Sequence, residues 1–103
     1  MVTWILYYET DTEYDFSELN ARNLRDALSF FKDIIFDVVN DFTLDLLEKN
    51  EEFEVVRGNE KVAKEKIERD GEYKVVKVHK VILVREKKNP NKNYVYYALV
   101  EAK

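Results

Sequence analysis

Residues 73–85, YKVVKVHKVILVR, and residues 94–101, YVYYALVE, decide the fold of this chain. Both are rich in β-branched and aromatic residues and read as long strands, joined by the polar loop Lys87–Asn93 that carries Pro90. Neither alternates apolar with polar: Val75, Val76, Val78, Val81, Ile82, Leu83 and Val84 run almost unbroken. A strand that is apolar on both sides expects cover on both sides of its sheet.

Working outward, Phe53–Arg57 is a further strand, Gly58-Asn59 fits a tight turn, and Asp70-Gly71 is a hairpin signal. The intervening residues 60–69, EKVAKEKIER, are open between a helix, by composition, and a charged edge strand. The two flanking turns tip the reading toward strand. At the start of the chain, Val2–Thr10 is rich in β-formers, and an acidic loop follows with Glu9, Asp11, Glu13, Asp15 and Glu18. Ser17 is a fair N-cap for a helix from Glu18 to about Asn40. Its apolar positions Leu24, Ala27, Leu28, Phe31, Ile34, Ile35, Val38 and Val39 fall on one arc. A second, short helix is expected over Thr43–Lys49.

These elements define one α+β domain over residues 1–103: an antiparallel sheet of four to five strands with two helices packed on one face. The uncovered face of so small a sheet then calls for a second copy. A homodimer is expected through Val76, Val78, Ile82, Val84, Tyr96 and Ala98.

With 46% apolar and 37% charged residues the chain is foldable rather than disordered. It has no cysteine, which removes disulfides, thiolate metal sites and a cysteine nucleophile. No apolar run approaches the length of a membrane-spanning helix, and the first residues lack the pattern of a secretory signal. Abundant Lys and Glu with scarce Gly and Pro is a composition common in thermophilic proteins. The net charge of −4 conceals a strong asymmetry. Residues 1–54 hold 14 acids and 4 bases, whereas residues 55–103 hold 7 acids and 13 bases. Such a chain either pairs its halves or shows a partner two opposite surfaces.

Catalytic chemistry is poorly supplied, and no enzyme activity, cofactor or metal is expected. The serines are Ser17 and Ser29, neither in a nucleophile-elbow sequence, and the single His79 reads as a satisfied strand histidine. Asp11, Glu13 and Asp15 resemble the start of a calcium loop, but Phe16 stands where the turn glycine belongs and Arg22 where the bidentate Glu belongs. Two glycines, 58 and 71, build neither a phosphate loop nor a dinucleotide fingerprint. The basic segment Lys74–Lys92, beside Tyr73, Tyr94, Tyr96 and Tyr97, supports an alternative reading as a nucleic-acid-binding protein. The acidic pI of about 5.1 argues against it.

The long helix carries a sharper signal. At about 100° per residue, Asp26, Asp33 and Asp37 form an acidic stripe opposite the apolar arc, with Phe30 at its edge. Aromatics that anchor and acids that steer are the ingredients of a protein-binding surface, so Asp26, Phe30, Asp33 and Asp37 are candidate partner contacts. The acidic loop residues Asp11, Glu13 and Asp15 are further candidates.

The opening MVTWILYYETDTEYDF (1–16), the Phe/Asp-rich helix ALSFFKDIIFDVVNDF (27–42) and the Lys-rich strands that follow resemble small proteins of archaeal rod-shaped viruses. More narrowly, the chain resembles the family containing their type I-D anti-CRISPR inhibitor. The resemblance covers the whole chain in size, texture and order of segments, without a catalytic motif. It implies a non-enzymatic viral inhibitor, acting in the host cytoplasm, that binds the large subunit of the host CRISPR effector complex. It also implies an antiparallel sheet with helices on one side.

Overall fold

The computed structural model describes residues 2–38, 49, 51–89 and 95–103, with the side chains of residues 34–38 excepted. The expected short helix at Thr43–Lys49 lies outside the described residues apart from residue 49. The order of elements is β1 (Thr3–Glu9), β2 (Tyr14–Leu19), α1 (Leu24–Val38), β3 (Phe53–Arg57), α2 (Glu60–Glu68), β4 (Val75–Glu86) and β5 (Val95–Ala102). The strands form one five-stranded sheet in the order β2-β1-β5-β4-β3, antiparallel at every pairing. The fold is α+β, as the sequence implies.

The fifth strand comes from the segment expected to be an acidic loop. Residues 14–19 pair with β1 in the register Tyr7↔Phe16 and Trp4↔Leu19. The Thr10 hydroxyl accepts hydrogen bonds from the Thr12 and Glu13 amides at 3.3 and 3.2 Å and shapes the connecting turn. Ser17 is therefore a strand residue. The cap of α1 is Asn23, whose Oδ1 accepts from the Asp26 amide at 3.0 Å.

Residues 60–68 are a helix, against the strand reading. Asn59 Oδ1 accepts from the Lys61 and Val62 amides at 2.8 and 3.2 Å. Gly71, at φ +74°, stops the chain beyond the far end, its amide donating to the Glu68 carbonyl at 3.1 Å. The two apparent hairpin turns are a helix cap and a helix stop. Ala63 and Ile67, four residues apart, are fully buried, so a single stripe meets the sheet while most of the lysines stay outside.

The two described helices, α1 and α2, take opposite faces of the sheet; the expected second helix on the α1 face, Thr43–Lys49, lies outside the described residues. Trp4, Leu6, Ile82, Val84, Tyr97 and Leu99 pack with Ala27 and Phe31 of α1. On the other side Ile5, Tyr7, Val81, Tyr96, Ala98 and Val100 pack with Ala63 and Ile67 of α2. The unbroken apolar runs are thus covered twice within one chain. The expected dimer residues do not share a surface: Ile82 and Val84 are buried under α1, Tyr96 and Ala98 under α2. Val78 packs against the α2 core, and only Val76, 50% exposed, faces out. These six residues therefore offer no common surface to a second copy.

Two bulges in β4, between Val75 and Lys77 and between Val78 and Lys80, explain Val76 and His79. Each bulge adds one unpaired residue and re-aims its side chain. The β3–α2 junction is tight: a Cβ on Gly58 would lie 2.3 Å from Val81 Cγ1, where the Gly58 amide donates to the Val81 carbonyl at 2.9 Å. Gly58→Ala is expected to destabilise the protein by about 1–3 kcal/mol through overpacking, read from urea unfolding. An unchanged midpoint would show that the junction is loose.

Candidate partner-binding surface

Ala27 and Phe31 anchor α1 to the sheet, which leaves the opposite side of the helix outward. Asp26, Phe30 and Asp33 share that outward region by helical spacing. Asp33 is exposed and Asp26 half-buried, with Arg22 Nε 3.3 Å from Asp26 Oδ2. Phe30 is 41% exposed and borders a groove of about 440 Å³ with Asn20, Arg22, Asp26 and Ser29. The structure brings Asp26, Phe30 and Asp33 together on one helix as the sequence suggests. Asp37 lies in α1, but its side chain is outside the described residues.

Asp11, Glu13 and Asp15 are exposed on the β1–β2 hairpin. Glu13 Oε1 accepts from the Tyr8 hydroxyl at 2.8 Å, a bond that raises the Tyr8 pKa. Asp15 Oδ1 accepts from the Phe16 amide at 2.8 Å. No hydrogen bond or ion pair joins these acids to the α1 acids among the described residues. Asp11 and Glu13 lie in the turn, and Asp15 lies on the outer strand β2, where charge discourages edge-to-edge pairing. Among the described residues, no three acidic or histidine side chains gather in a metal-binding group.

The sequence reading missed the structural importance of Glu9. It is the one buried charged residue among those described, 8% exposed at the end of β1. Lys66 Nζ donates to its Oε2 at 2.8 Å and the Tyr7 hydroxyl to its Oε1 at 2.5 Å. Arg69 Nη2 donates to the Tyr7 oxygen at 2.7 Å and reaches Glu9 at 3.5 Å. The Arg69 guanidinium also lies 3.6 Å from the centre of the Tyr14 ring, and the Tyr14 hydroxyl donates to Asp70 at 2.8 Å. This cluster ties β1 and β2 to the end of α2. Burial works to raise the Glu9 pKa, but the hydrogen bonds from Lys66 and Tyr7, with the charges of Lys66 and Arg69, outweigh it and hold the carboxyl below its ordinary value. Burial, then Glu9, push the Tyr7 hydroxyl upward. Next to the cluster, burial and the 3.0 Å bond to Glu18 push Tyr73 up to about 12. A signal was present in the sequence: Glu9 continues the Ile5, Tyr7 alternation on one face of β1.

The basic segment is dispersed by the fold. Arg85 Nε is paired with Glu54 at 3.0 Å. Lys74, Lys77, Lys87 and Lys88 are exposed, while Lys92 and Tyr94 lie outside the described residues. The aromatics needed for base stacking are turned inward: Tyr96 and Tyr97 are buried, and Tyr73 is held by Glu18. His79 sits against Trp4 with ring centroids 4.8 Å apart, and its Nε2 is 2.8 Å from Glu101 Oε1. That is the satisfied strand histidine the sequence suggests. Ser17 and Ser29 are exposed on β2 and α1.

No helix among the described residues is long and apolar enough to cross a membrane. No protein-family model, curated protein or solved structure matches the chain.

Because the Glu9 pKa is lowered on folding, its contribution to stability is present above the ordinary carboxylate pKa of about 4.3 and is lost as pH falls through the folded value. Glu9→Gln is expected to cost about 1–3 kcal/mol at neutral pH, less than a wholly buried pair because Lys66 and Arg69 are partly exposed. The difference between the two proteins should shrink as pH is lowered toward 3. A difference independent of pH would mean that packing, not charge, is what Glu9 contributes.

Proposed function

We propose that this chain is a non-enzymatic binding protein that acts by protein–protein contact through the acidic flank of α1. The observation that carries this reading is Phe30: a large aromatic ring, 41% exposed, at the edge of the stripe that Asp26 and Asp33 form on a helix whose other side already supplies the core. The division of labour follows from physics. Exposed carboxylates accelerate encounter with a basic surface and set register, while a ring that becomes desolvated on docking slows dissociation.

The sequence resemblance to the archaeal-virus family supplies the partner: the large subunit of a type I-D CRISPR effector complex, met in the host cytoplasm. Such an inhibitor would work by covering a basic surface that the complex needs. This reading requires no second copy of the chain and no cofactor.

Binding to the purified large subunit, followed by surface plasmon resonance, tests it. Asp26→Asn with Asp33→Asn should slow association and flatten its salt dependence, with folding changed by no more than about 0.5 kcal/mol. Phe30→Ala should weaken binding by about 2 kcal/mol, chiefly through faster dissociation. Full affinity in both well-folded variants would move the surface elsewhere. Tight, salt-sensitive binding to a single-stranded oligonucleotide instead of the subunit would replace the reading with the nucleic-acid one.

A further inference from the structure

The flank of α1 away from Phe30 has the opposite charge. There Leu24 and Leu28 lean over the part of the sheet where β3 meets β4, and the helix leaves that part open. A cleft of about 460 Å³ lies between them, lined by Leu24, Leu28, Val55 and Ile82 together with Arg57 and Lys80. Arg57 stands opposite Ile82 in the β3–β4 register and Lys80 opposite Leu99 in the β4–β5 register, so both cations belong to the α1 face. Across the same two leucines a second groove of about 580 Å³ is lined by Arg25, Ser29 and Lys32.

The result is an apolar ridge with two cations on each side. Leu24 is 41% exposed, and Leu28 packs only at the margin of the core. None of Arg25, Lys32, Arg57 or Lys80 has a carboxylate partner among the described residues. Glu60 is the one acid among the residues that line the cleft, against the two cations Arg57 and Lys80.

We propose that this ridge binds an acidic amphipathic helix of a partner protein, its apolar stripe resting on Leu24 and Leu28 and its flanking carboxylates reaching the cations on either side. Charge complementarity selects the occupant. A helix laid in a groove presents this arrangement, an apolar row bordered by charge on both edges. A compact molecule would fill one groove and leave the other, and a nucleic acid would use the cations without the leucines. The site is independent of the Phe30 flank, so it stands or falls separately from the function proposed above.

The test is fluorescence anisotropy of a labelled helical peptide with a leucine stripe flanked by glutamates, titrated with the full chain. Saturable binding is expected. It should weaken by at least about tenfold in the double variant Arg57→Glu, Lys80→Glu and similarly in Leu24→Ser, with Lys64→Glu, an exposed lysine of α2 on the other side of the sheet, leaving it unchanged. Arg25→Glu with Lys32→Glu, on the opposite side of the ridge, should weaken it as well, and thermal melts report whether each variant is folded. Absence of saturable binding to the unaltered chain would overturn the proposal. So would binding that ignores Leu24→Ser, or equal affinity for a single-stranded oligonucleotide with the same dependence on the cations, because either makes the ridge a bare basic patch.

Discussion

The pairing of the first strand with the last is the constraint on which the rest of the structure depends. β1 and β5 lie side by side at the centre of the sheet, in register from Thr3↔Ala102 to Glu9↔Tyr96. Both are apolar on both faces, with Ile5, Tyr7, Tyr97, Ala98, Leu99 and Val100 all buried. A central pair of that kind leaves water on neither side, so each face needs its own lid. α1 closes one with Ala27 and Phe31 and α2 the other with Ala63 and Ile67. What remains for recognition is the outside of the helices, the bulged part of β4 and the two outer strands.

The charge asymmetry along the sequence is partly spent inside the fold. Glu9 from the acidic half meets Lys66 and Arg69 from the basic half, and Glu54 meets Arg85. Tyr14 and Tyr73 carry the same link through hydroxyl groups, to Asp70 and Glu18. These contacts join elements distant in sequence and orient α2 on its face. α1 carries further charge on two flanks of opposite sign: Asp26, which also meets Arg22, and Asp33 beside Phe30, and Arg25 and Lys32 beside the leucines. A helix with one core side and two differently charged flanks can meet two kinds of surface without any change of fold.

Much of this was legible in the residues. The strands at the end of the chain, the β3 segment and the core side of α1 follow from β-propensity and helical spacing, and so does the outward position of Phe30. The need for cover on both sheet faces is legible too, but a strand over 60–69 would leave out α2, the element that supplies the second cover. Turn chemistry at Gly58-Asn59 and Asp70-Gly71 is shared by hairpins and helix ends. Here the composition of 60–69, with apolar Ala63 and Ile67 one helical turn apart, was the better guide. The β2 strand was hidden by its acids, although Tyr14 and Phe16 alternate with Asp15 and Ser17 in the period of a strand. The Glu9 cluster depends on residues brought from 57 and 60 positions away, and no local pattern announces a contact of that range. The open ridge beside Leu24 likewise depends on where a helix stops covering a sheet.

The central claim is that a single chain covers both faces of its own sheet. Amide hydrogen exchange over a wide range of protein concentration tests it directly. The account predicts that β1, β5 and the buried turn of α2 around Ala63–Ile67 exchange most slowly and at rates independent of concentration, because their protection is intramolecular. Protection of β5 or α2 that falls away on dilution would contradict it, since the second face would then owe its cover to another copy.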